Sequence, residues 1–259
     1  MKKLLRLEYI KYSRSNIFYI FIGLFVAIVV LSEITTAHLG SNAGMKFGFP
    51  DAWTNLVYTA SWMNFFVGIM VLISITTEYQ FRTLRQHVVD GLDKKDIFIS
   101  KYLYAICIAL FAVIFVAISV VCISYAYATP GSDKNMFNGI ELLAKYFIQL
   151  LGYISMAVFF AFLLRSTSVG IIVYLFYMPI ESLVSVGLFH SPTNARIADY
   201  FPKNLFSNIV PKPGIVKFVS NAAGLHTNGP SDQTILILGC VYIIIFMAGS
   251  YWLLNKRDL

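Results

Sequence analysis

The residue types that most often hold metal or carry nucleophilic chemistry are scarce in this sequence and badly spaced for either task. His38, His87, His190 and His226 are scattered along the chain, and no H-E-x-x-H, C-x-x-C or G-x-S-x-G occurs. Cys107, Cys122 and Cys240 all fall inside apolar runs, an odd number without metal spacing or a disulfide framework, and read as small packing residues. G-x-x-x-x-G-K-[ST], the loop that cradles nucleotide phosphates, is also missing, so the chain is not itself an ATPase. No catalytic residue, no resident cofactor and no metal site is expected.

A second set of residues has spacing that matters. In "TTEYQFRTLRQHVVDGLDKKDIFISK", Thr76 to Lys101, Glu78, Arg82 and Arg85 stand at helical intervals and could form a charged ridge. Phe81, Leu84 and Val88 recur at i, i+3 and i+7 and would share an apolar face. The pattern predicts a short amphipathic helix from Glu78 to Asp90, stopped by Gly91 and restarted by Asp93 as N-cap with Asp96 in the first turn. A partner could push on such an ordered loop; His87 within it reads as a surface contact.

Isolated polar residues in apolar surroundings form a third set. Glu181 follows Pro179 in "YMPIESL", where proline costs a helix one backbone bond. An ionisable group within a membrane span is a functional hypothesis by default, weighed here against pairing with a basic residue near the outer leaflet. Ser61, Asn64 and Gly68 fall close to one helical face. They could line a pathway or serve as hydrogen-bonding and close-packing contacts between helices, and Gln149 has the same two readings. Arg165 is expected to snorkel to an interface.

The elements that must position these residues are set by lipid. The 259-residue chain is 58% hydrophobic and 13% charged, with mean hydropathy +0.71, too apolar for a water-soluble core. Aromatics reach 16%, which suits interfacial belts. Six apolar runs lie at about 17–34, 56–77, 97–127, 142–164, 168–189 and 234–254. Each must be helical, because lipid cannot satisfy open backbone groups. The third is long enough to tilt or project beyond the bilayer. Residues 1–15 form a basic amphipathic segment suited to the membrane surface. The faint cleavage-like "TTA" at Thr35–Ala37 is outweighed by the many later spans, so the first helix is expected to be retained.

Asp51 is expected to N-cap the second span. The connection His190–Gln233, broken by Pro192, Pro202, Pro211, Pro213 and Pro230, is expected to carry short helices on or partly in the outer leaflet. With an even number of spans, thirteen of the twenty Lys and Arg fall on the side of the termini, which predicts both termini in the cytoplasm. The net charge of +7 therefore reads as topology, not as nucleic-acid binding.

The stretch from Glu78 to Lys101 resembles the first cytoplasmic loop of the ABC-2 type transporter permeases. Glu78 matches an acidic residue of that loop; Thr83, Leu84 and Arg85 match "TLR"; Lys94, Lys95 and Lys101 match its basic positions. Arg82 stands where many members carry glycine. The resemblance covers nearly the whole chain and implies an all-α polytopic membrane protein. It would have one transmembrane domain over 1–259, an interface helix at 1–15, a coupling loop at 78–96 and an external segment at 190–233.

By that resemblance, Glu8, Lys11, Glu78, Arg82, Thr83, Leu84, Arg85, His87 and Asp90 would contact a separate ATPase subunit, and the span that carries Glu181 would lie near the path and the dimer interface, beside which Ser61 and Asn64 remain candidates on their helical face alone. It further implies ATP and Mg on those partner subunits and a second permease chain, with a homodimer expected. The lipid bilayer of a bacterial-type inner membrane would surround them, and a hydrophobic or amphipathic cargo would be exported. The alternative is a membrane scaffold whose loop docks a partner that is not an ATPase.

Overall fold

Each of the six apolar runs is a helix in the computed structural model, which describes residues 16–42, 49–89, 91–127, 136–188, 197–214, 216 and 230–256. The proposed interface helix with Glu8 and Lys11, residue Asp90, and much of the 190–233 connection lie outside the described residues. Among the described residues all regular structure is helical: α1 (Asn16–Asn42), α2 (Asp51–Ser61), α3 (Asn64–Gln80), α4 (Thr83–Val89), α5 (Lys94–Tyr127), α6 (Glu141–Leu164), α7 (Thr167–Leu188), α8 (Pro202–Ser207) and α9 (Asp232–Lys256). Six stretches are long and apolar enough to cross a membrane, with α2 and α3 together making the second. The 34 residues of α5 extend over about 50 Å, well beyond a hydrocarbon core of about 30 Å.

The second span is not one uninterrupted helix. Its chain tightens at Trp62–Met63, where Trp62 and Met63 donate to the carbonyls of Thr59 and Ala60 at 3.3 and 2.9 Å, the i to i−3 pattern of a narrower turn. The Ser61 hydroxyl donates to the Tyr58 carbonyl at 2.7 Å in the same turn. Asp51 is not the N-cap: Pro50 occupies that position without a side-chain cap bond, and Asp51 begins the first turn. There its charge still meets the positive end of the helix dipole.

The core is built around α3 and α6, which make the most extensive helix–helix contact, with α9 packed on α6 and α7 on α3. Two glycines permit the closest approaches. A methyl group on Gly68 of α3 would stand 2.3 Å from the Tyr174 hydroxyl of α7, and one on Gly152 of α6 would stand 2.4 Å from the Phe206 ring of α8. Small residues at such crossings are how helices pack in a solvent that supplies no hydrophobic drive. On α1, by contrast, the buried described residues are Phe25, Val29, Glu33 and Ala37, a single stripe at intervals of four.

The short helix α8 of the 190–233 connection packs on α6, α7 and α9, with Leu205 and Phe206 wholly buried. One further expectation changes. Cys107, Cys122 and Cys240 are exposed on the outer faces of α5 and α9, so they are not interior packing residues.

Candidate functional site

The bundle end that carries Lys94 and Asn255, joined by a 3.3 Å bond from the Lys94 ammonium to the Asn255 carbonyl, also carries the α3–α4–α5 corner. The helix of α3 continues through Glu78 to Gln80, and the break comes at Phe81–Arg82. Arg82 has φ +55°, the left-handed conformation that ends many helices and that costs a side chain with a Cβ about 1–2 kcal/mol. Its N–H donates to Tyr79 at 3.2 Å. The orphan carbonyl of Glu78 is met by the Thr83 hydroxyl at 3.3 Å. The position where the resembled family carries glycine is thus a position with positive φ.

Helix α4 then ends as its sequence predicts. Gly91 has φ +86°; its N–H donates to Val88 at 3.1 Å and that of Leu92 to His87 at 3.0 Å, the paired bonds of a Schellman motif. Asp93 takes the N-cap position of α5, its carbonyl accepting from Ile97 at 3.2 Å, and Asp96 lies in the first turn.

The single helix expected over Glu78–Asp90 is therefore corrected to the end of α3, a left-handed residue and α4. The phase change at Arg82 rearranges both predicted faces. Phe81 is 77% exposed while Leu84 is 1% exposed, so they do not share an apolar face. Nor do Glu78, Arg82 and Arg85 form a ridge. Glu78 is buried and ion-paired with Lys101 of α5, also buried, whereas Arg82 and Arg85 are exposed. Thr83 and His87 are half-buried. Beside the corner lies a cavity of about 330 Å³ lined by Glu78, Tyr79, Arg82, Leu84, Arg85 and Arg165. Arg165, also left-handed at φ +52°, caps the end of α6 and places its guanidinium 5.1 Å from the centre of the Tyr79 ring.

Within the membrane, Asn64 is buried and its side-chain amide donates to Gln149 at 3.3 Å, a polar tie between α3 and α6. Ser61 lies at the tightened turn. Glu181 is brought to neither: its carboxylate accepts the backbone N–H groups of Lys203 at 3.2 Å and Asn204 at 2.8 Å. An acidic side chain from α7 thereby caps the start of α8, where donors have no intrahelical partner. The Lys203 ammonium donates to Ser182 at 2.7 Å, and the Asn204 side chain donates to Ser185 at 2.6 Å and to the Ala198 carbonyl at 3.0 Å. Burial holds the Lys203 ammonium below the ordinary lysine value, an effect the nearby Glu181 carboxylate opposes and Lys212 reinforces.

Glu33 is the polar residue that sequence reasoning missed. It sits wholly buried in the stripe of α1, and among the described residues neither carboxylate oxygen meets a hydrogen-bond partner at normal distance. Ser119 gives its hydroxyl to the Val116 carbonyl at 3.0 Å instead. The rule that singled out Glu181, an ionisable group inside an apolar run, would have found Glu33 at the edge of the first run.

A family model described as "ABC-2 family transporter protein" matches residues 4–181, from the amino-terminal segment through the α3–α4–α5 corner and into α7. A search of curated proteins finds none that matches the chain. With its membrane-length helices and a family match over more than half its length, this multi-pass membrane permease belongs to the ABC-2 family of transporter proteins.

Proposed function

We propose that the chain is the membrane-spanning permease of an ATP-driven exporter, working with separate ATPase subunits and a second permease chain to move a hydrophobic or amphipathic cargo. The observation that carries this reading is the α3–α4–α5 corner. Helix α4 is stopped at both ends, and the Glu78–Lys101 ion pair ties the spans on either side of it. The corner presents Phe81 at 77% and Val89 at 78% exposure, and Arg82 and Arg85 of the same turn and helix are exposed as well. Large apolar side chains beside guanidinium groups are the composition of an anchoring patch in a protein interface.

In this mechanism ATP and Mg reside on the partner subunits, and both termini of the permease lie in the cytoplasm of a bacterial-type inner membrane. Nucleotide binding draws the ATPases together, and force on α4 passes through the ion pair into α3 and α5. The permease supplies a two-state element whose balance the nucleotide shifts. Of the contact residues expected from resemblance, Arg82 and Arg85 serve at the surface. Glu78 and Leu84 act from behind, as the support that holds α4 in place.

The test is reconstitution with the ATPase subunits. Phe81→Asp with Val89→Asp is expected to abolish co-purification of the ATPase while the permease stays folded. Unchanged co-purification and full cargo-stimulated ATP hydrolysis in that variant would refute the docking surface.

A further inference from the structure

The geometry points to a site for the phosphate group of an anionic lipid in the cavity of about 330 Å³ beside α4. Three guanidinium groups, those of Arg82, Arg85 and Arg165, line one space together with the Tyr79 ring, Leu84 and the Glu78 carboxylate, and that carboxylate is engaged by Lys101. Arginine presents a planar fork of donors that matches phosphate oxygens, often two at a time. Three cationic side chains around one cavity favour an anion there. The volume is in the range of small-molecule sites.

Two further observations favour this site. The non-glycine residues with positive φ among the described residues are Arg82 and Arg165, and both line the cavity. Backbone held in a costly conformation tends to gather at ligand clamps. The second observation is depth. Arg165 and Ser166 alone separate α6 from α7, both membrane-length helices. The cavity therefore lies where two spans leave the hydrocarbon, at the level of lipid headgroups. That placement favours a lipid phosphate over phosphate free in solution. Arg165 is the inner member of the set, half-buried and set over Tyr79, whereas Arg82 and Arg85 form the exposed rim.

The site is tested by native mass spectrometry of the full chain with phosphatidylglycerol, phosphatidylcholine or inorganic phosphate as probe. Phosphatidylglycerol is expected to be retained about tenfold more strongly than phosphatidylcholine, with Arg165→Gln removing the preference and Arg165→Lys removing part of it. Should Arg165→Gln fail to fold, Arg85→Gln at the rim is expected to reduce the preference in the same direction. Phe81→Ser with Val89→Ser, which adds no charge beside Arg82 and Arg85, is expected to keep it, which separates this site from the apolar docking patch. Equal retention of the two lipids, or a preference unchanged by Arg165→Lys and Arg85→Gln, would overturn the site. Displacement of phosphatidylglycerol by inorganic phosphate at equal concentration would overturn the lipid assignment in favour of a free anion.

Discussion

Glu78 at the end of α3 and Lys101 near the start of α5 form a buried ion pair that closes the corner around α4. Residues that read in sequence as two separate surface charges are one internal contact. Their burial couples them, because removing either takes from the other its ion-pair partner in a place shielded from water.

Removing one member is therefore expected to be costly. Lys101→Met or Glu78→Leu alone should destabilise the protein by about 3–5 kcal/mol, whereas the double substitution should recover most of that loss. Thermal unfolding in detergent, followed for the two single variants and the double, measures the coupling. Additive losses would mean the pair holds nothing together.

Arg82→Gly is expected to stabilise the fold. It removes a strain of about 1–2 kcal/mol at φ +55° and gives back part of it in chain entropy, leaving a net gain on the order of 0.5 kcal/mol. Arg82→Val should move the melting temperature the other way, since branching at Cβ tolerates positive φ poorly. A lower melting temperature for the glycine variant would show that the guanidinium contributes more than the backbone costs.

Glu181→Ala should free the start of α8. The expected signature is faster hydrogen exchange at the Lys203 and Asn204 amides, with a stability loss of about 1–2 kcal/mol. Lys203 adds a pH dependence of known sign. Its folded-state value lies below the ordinary lysine value, so the unfolded chain binds more protons through the alkaline range, and stability rises there as pH rises towards 10.5. Lys203→Met should abolish that rise. A melting temperature that falls in wild type between the depressed value and the ordinary one, with no difference from Lys203→Met, would contradict the assignment.

Glu33→Leu is expected to raise the melting temperature, because it replaces a wholly buried carboxyl without a hydrogen-bond partner at normal distance among the described residues with an apolar side chain of similar size. Glu33→Lys should lower it sharply, since a longer cation would enter the same seam. A loss of stability in the leucine variant would reveal a polar contact that Glu33 makes in the assembled protein.

Much of this architecture is legible along the chain because its causes are local. Runs of apolar side chains must become helices in lipid, whatever their neighbours, and all six appear where hydropathy places them. Gly91 marks the end of α4 by the same logic, since its left-handed backbone is a property of one residue. Directions are another matter. Whether Leu84 faces inward and Phe81 outward depends on the helical phase, which Arg82 resets with a conformation its side chain does not advertise.

Partners at long range were decided only in three dimensions. Glu78 finds Lys101 because α3 and α5 meet across α4, and Glu181 finds backbone amides because α8 folds back on α7. The second case also rests on Gly152, whose missing side chain leaves room for the Phe206 ring. The amino-acid sequence by itself determined that the chain crosses a membrane as helices joined by a charged corner. The tertiary structure decided which charges are exposed and which are held inside, because that depends on what each helix face meets after packing.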